Sequence, residues 1–93
     1  MKYCTGEQVR LWDRVKVWEG CCGIVVFSID SDEYSPEYPK EQWQYLKRGV
    51  MIDTDAAGLI HYEEPEEEME LLARGGVPSP EEWEALHRPR SPA

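Results

Sequence analysis

The apolar residues of this chain fall into short runs, and most keep the two-residue spacing of strands. Val15 and Val17 alternate with Arg14, Lys16 and Trp18, which predicts a half-buried strand. Residues 24–29 are apolar at both parities, broken only by Ser28, and rich in β-branched side chains. Such a run predicts a strand covered on both faces. Between the two lies Glu19-Gly20-Cys21-Cys22-Gly23, whose glycines accept the positive φ of a hairpin connection. Residues 12–30 therefore read as a hairpin with 24–29 at the centre of a small sheet. Residues 49–53 and 59–62 predict a third and a fourth strand, with a turn over 54–58. Residues 69–73 fit strand and helix periods equally well. A fifth, edge strand is the preferred reading, because four strands leave a small barrel open.

Proline, glycine and charge mark the remaining boundaries. Residues 30–39 hold two prolines, two serines and four acids, and read as a long loop. Pro39 suits the first position of a short helix over 40–46, with Trp43 and Leu46 on its apolar side. Gly75-Gly76-Val77-Pro78 closes a domain of residues 1–75. Residues 76–93 form a Pro-rich extension. In it Ser79, Pro80 and Glu82 make a capping box for a helix over 80–87, with Trp83 on its apolar side. Residues 88–93 read as disordered.

Charge narrows the choice of partners. Of 93 residues 41% are hydrophobic and 31% charged, which suits a folded, soluble domain. The formal net charge is -9, and residues 56–73 hold six glutamates and no basic residue. A field of this sign repels nucleic acid and anionic lipid and draws in cationic partners. No apolar run approaches the roughly 18 residues of a membrane span, and residues 1–12 do not resemble a signal peptide, so a cytoplasmic protein is expected.

Little in the chain suggests chemistry. Cys4, Cys21 and Cys22 are odd in number, two of them are adjacent, and no CxxC spacing occurs, so neither a disulfide framework nor a zinc site is expected. Asp30-x-Asp32 lacks the further spaced ligands of a calcium loop. His61 and His87 are isolated, and no serine or cysteine has an evident base partner. The expectation is a binding protein, without enzyme activity, cofactor or metal.

Two surfaces compete for the partner. One is acidic: Asp30, Asp32 and Glu33 in the loop, Asp53 and Asp55 flanking the turn, and Glu63 and Glu64 opening the glutamate run. Tyr34 and Tyr38 would be its aromatic anchors, since tyrosine is enriched at interface hot spots. The other is the row Trp12, Arg14, Lys16, Trp18, which shares one parity. Aromatic and cationic residues interleaved on a sheet are what single-stranded nucleic-acid binders use.

The pattern Val9-x-Leu11-x-Asp13-x-Val15-x-Val17, followed by a glycine turn and Gly23-Ile24-Val25-Val26, resembles the opening of SH3-like small barrels. Trp12 stands where those usually carry glycine. The resemblance implies a mainly β fold: a five-stranded antiparallel barrel, with a short helix after the long loop and a short C-terminal helix. Taken with the segments at 37–46, 49–52 and 58–62, residues 1–74 resemble small bacterial immunity proteins encoded beside secreted or polymorphic toxins. That resemblance implies an acidic blocker that holds the basic surface of a cognate toxin. The competing expectation is an SH3-like nucleic-acid or ribosome-associated module using the Trp12–Trp18 row.

Overall fold

Strand β2 (Cys21–Ser28) is the longest strand, and every other strand but two lies against it directly. The computed structural model describes residues 2–64 and 66–87. β1 (Asp13–Trp18) flanks one side of β2 and β4 (Val50–Thr54) the other. β5 (Gly58–Tyr62) pairs with β4, and β6 (Glu70–Arg74) returns to pair with β1. The sheet order is β5-β4-β2-β1-β6, and every pairing is antiparallel. Two helices complete the fold. α1 (Lys40–Trp43) runs into a 3-10 turn at Gln44–Leu46, and α2 (Pro80–His87) follows β6.

This architecture corrects the expected five-stranded barrel in two respects. A sixth strand, β3 (Glu33–Tyr34), pairs with Phe27 and Ser28 of β2. It continues the side of β2 that β1 leaves after Ile24, and it is too short to stand out in a loop of prolines and serines. The sheet is also open: among the described residues no pairing joins β5 to β6. The connection between β1 and β2 is tighter than expected, only Glu19 and Gly20, with Gly20 at φ 86°. Cys21, Cys22 and Gly23 belong to the strand. The reading of 69–73 as an edge strand agrees with β6. The expected tail at 88–93 lies outside the described residues.

A bulge explains how β2 is covered on both faces. Val25 pairs with Ile52 and Phe27 with Met51, so Val26 is the extra residue. Val25 points into one core with Val9, Val15, Val17, Val50 and Ile52. Val26 and Phe27 enter a second core on the opposite face, under Trp12, Tyr34, Tyr38, Trp43 and Trp83. Phe27 is fully buried, and burial of a side chain that size contributes roughly 1.5–3 kcal/mol. Leu46 and Ile29 close the margin of the second core. The long loop, α1 and α2 therefore form one lid over the outer face of the sheet.

Two polar anchors hold the lid and the lead-in segment. Asp13 is almost fully buried and accepts hydrogen bonds from the Tyr3 hydroxyl at 2.7 Å and the Arg10 N–H at 2.9 Å. The Arg74 guanidinium lies 3.6 Å from its other oxygen, which ties the N-terminal segment, β1 and β6 together. Burial, and then the bond to Asp13, push the Tyr3 hydroxyl far above its ordinary pKa. On the outer face Arg14 grips α2. Its guanidinium donates to both Glu82 oxygens, at 2.7 and 2.9 Å, and to the Gly76 carbonyl. The capping box is thus half formed. The Ser79 hydroxyl accepts the Glu82 N–H at 3.1 Å, while the Glu82 carboxylate turns to Arg14 instead. The extension docks on the sheet that precedes it.

Trp12 carries the departure from glycine into the backbone. Its φ is 70°, in the left-handed region that glycine accepts without strain. The Val25 carbonyl holds it there by accepting the Trp12 N–H at 2.9 Å, and the ring packs in the second core. Trp12→Ala loses the ring but keeps the strained φ, whereas Trp12→Gly loses the ring and relieves the strain. Urea denaturation is expected to find the glycine variant more stable than the alanine variant by about 1 kcal/mol. An alanine variant equal to or better than the glycine variant would contradict this account of Trp12.

Candidate functional site

Most of the expected acidic contacts are engaged inside the protein. Glu33 accepts from the Arg10 guanidinium at 2.7 and 3.1 Å, from the Ser31 hydroxyl at 2.8 Å and from the Leu11 N–H at 3.3 Å. These bonds, led by Arg10, pull its carboxyl down to about 2. Asp32 pairs with Lys40 at 2.8 Å, which raises the Lys40 ammonium above its ordinary pKa. Asp30 accepts the Gly49 N–H, and Asp55 accepts the Cys22 N–H, both at 3.1 Å. Glu63 binds Arg48 at 2.9 Å. Asp53 is only 4% exposed, and its carboxylate meets His87 Nε2 at 2.6 Å. It faces α2, so its expected place on an open acidic surface is corrected. Glu64 is exposed.

The two tyrosines are half-buried parts of the lid. Tyr34 stacks on Phe27 with ring centroids 5.6 Å apart, and Tyr38 sits 6.2 Å from Phe27 and 5.7 Å from Trp43. Burial raises both hydroxyls above their ordinary pKa. Their rings are spent on packing the loop. The structure thus spreads the expected site over a loop end, a helix contact and two turns.

The row Trp12, Arg14, Lys16, Trp18 is likewise divided. Trp12 is half-buried against the second core, and Arg14 is held by Glu82. Lys16 is flanked by Glu19 at 3.6 Å and Glu70 at 3.4 Å. Trp18, at 36% exposed, keeps an open ring.

What the fold does bring together is Trp18 and the later glutamates. Trp18 ends β1, Tyr62 ends β5, and the connection to β6 passes beside both. Val17, Trp18, Tyr62, Glu66, Glu67 and Glu68 line an open cleft of about 560 Å³. It lies where β5 and β6 do not meet. Among the described residues the carboxylates of Glu66, Glu67 and Glu68 form no ion pair or hydrogen bond. The residues 66–68 stand out in the sequence only as part of a charged run, and Trp18 only as part of a row. The signal that joins them is positional, since both tight strands end beside the same acidic connection.

The arrangement offers an aromatic face, a tyrosine and three carboxylates, and no nucleophile with a base. Among the described residues no group of three or more His, Cys, Asp or Glu side chains is placed to hold a metal ion. Cys4, Cys21 and Cys22 form no disulfide. Among the described residues no helix is long and apolar enough to cross a membrane. No protein-family model, curated protein or solved structure matches this chain.

Glu33 generates a test by acid. Its folded pKa is depressed from 4.5 to about 2, so its bonds stabilise the fold fully above about pH 4.5. That stabilisation is lost as pH falls toward 2, because the unfolded chain takes up the proton first. Glu33→Gln should lower stability at pH 7 by on the order of 1 kcal/mol, since half-exposed Arg10 is screened by solvent. It should also flatten the decline between pH 4.5 and 2 in urea melts. An unchanged decline would mean that Glu33 is not the titrating group.

Proposed function

We propose that this chain is a binding module that captures a cationic protein in the cleft between Trp18, Tyr62 and Glu66–Glu68. The observation that carries this reading is the contrast among the acids. Asp32, Glu33 and Glu63 are ion-paired and Asp53 is bonded to His87 within the fold, whereas among the described residues Glu66, Glu67 and Glu68 form no ion pair and line a cleft with an exposed tryptophan. Dense like charge costs self-repulsion that a cationic partner relieves. An exposed tryptophan supplies the apolar anchor that such a contact needs.

The SH3-like reading of the fold fits the strand order. β1, β2, β4 and β5 form a meander, and β6 returns beside β1. With the resemblance to immunity proteins, the cationic partner is a toxin domain, held inactive because the carboxylates occupy the basic cleft meant for its own anionic substrate. The role needs no catalysis, metal or cofactor. Its setting is the cytoplasm of the cell that makes both proteins. The nucleic-acid alternative loses support on the same face: the cations of the row are paired with glutamates, and the open tryptophan stands beside three more. Phosphate would be repelled there.

The test uses the product of the adjacent gene as the ligand. Reversing Glu66, Glu67 and Glu68 together to lysine should slow association by on the order of tenfold at low salt and flatten its salt dependence. Trp18→Ala should leave association nearly intact and speed dissociation. Reversal of Asp32 or Glu63 should have smaller effects on association. Binding that ignores both the triple reversal and Trp18→Ala places the interface elsewhere.

A further inference from the structure

The two edges of the open sheet differ in chemistry. β6 has a charge at each end, Glu70 and Arg74, and its pairing with β1 is irregular. Val15 pairs with Leu71 and Arg14 with Ala73, leaving Leu72 as an extra residue. Charges and bulges are the devices by which natural sheets blunt an edge against further pairing. β5 has neither. Gly58-Leu59-Ile60-His61-Tyr62 contains no Lys, Arg, Asp, Glu or Pro, and it pairs with β4 through five consecutive regular positions. Among the described residues β4 is its only strand partner. Alternate residues of such a strand direct their N–H and C=O away from the sheet. Leu59, on the outer face, is 45% exposed.

We propose that the free edge of β5 is a strand-addition site for an extended, cationic segment of a partner protein. The charge of the occupant follows from where the edge leads. Tyr62 is both the last residue of β5 and a wall of the cleft that holds Glu66, Glu67 and Glu68. A strand laid along β5 therefore runs into three carboxylates, and basic side chains on it would find their counter-charges there. The net charge of -9 disfavours a second copy of this chain as the occupant. Backbone hydrogen bonds would supply affinity, and the acids would select the sign of the added strand. The proposal rests on the cleft reading for the charge of the partner, and on the edge alone for the mode of binding.

A ten-residue peptide of alternating valine and lysine is the probe, with alternating valine and glutamate as its control. Amide hydrogen exchange is followed residue by residue by NMR. At a lysine-peptide concentration about ten times its Kd, the outward amides of β5 should exchange about tenfold more slowly, with β6 unchanged. The glutamate peptide should protect nothing. Leu59→Lys, which adds the missing edge charge, should weaken the lysine peptide, and Leu59→Glu should not. Resonance shifts at Trp18 and Glu66–Glu68 without protection in β5 would overturn strand addition while leaving the cleft reading intact. Equal protection by both peptides would support strand addition and sink the cationic reading. Protection of β5 that grows with protein concentration alone, or the absence of any effect from the lysine peptide, would overturn the proposal.

Discussion

A strand with apolar residues on both faces cannot be satisfied by one core, and β2 is such a strand. The bulge at Val26 sends Val25 to one side and Val26 with Phe27 to the other. The small sheet therefore needs a second cover. The Pro-rich loop, α1 and α2 supply it, although none has enough apolar surface to fold alone. α2 has no buried residue of its own, and a helix of eight residues is marginal in water. It persists because Trp83 packs against the second core and because Arg14 and Asp53 reach out of the sheet to Glu82 and His87.

His87 illustrates how closely this cover is fitted. Nδ1 faces the Trp83 carbonyl at 3.0 Å, and Nε2 faces the Asp53 carboxylate at 2.6 Å. Both ring nitrogens thus face oxygens, one in the helix and one in the strand. Asp13 plays the corresponding part at the opposite end of the fold, where a buried carboxylate draws Tyr3, Arg10 and Arg74 onto one point. In both places a single acid in a strand fixes a segment distant in sequence, and at Asp13 several donors offset the desolvation of the acid.

The same economy decides which charges stay uncompensated at the surface. The basic residues of the described chain are largely committed to acids of the loop, the helix and the strand ends. Local neutralisation leaves the surplus negative charge concentrated in the connection between β5 and β6. That connection crosses the gap in the sheet, so three glutamates, an exposed tryptophan and an open strand edge lie together.

By itself the sequence determined the mainly β character, the central strand, the short helices and the acidity of the middle of the chain. Each of these is written in local periodicity, turn residues or composition, which need no knowledge of distant neighbours. The tertiary structure alone decided which acids are available. Asp53 and Glu63 look alike in sequence, yet one lies under a helix and the other at a turn with Arg48. It also decided that Trp12 is half-buried and Trp18 more open, although the two share a parity. The difference arises because α2, 68 residues beyond Arg14 at their point of contact, covers one end of the row and not the other. Periodicity assigns a face to a residue, but the cover on that face comes from elements far along the chain, and so the choice between two equally patterned surfaces belongs to the fold.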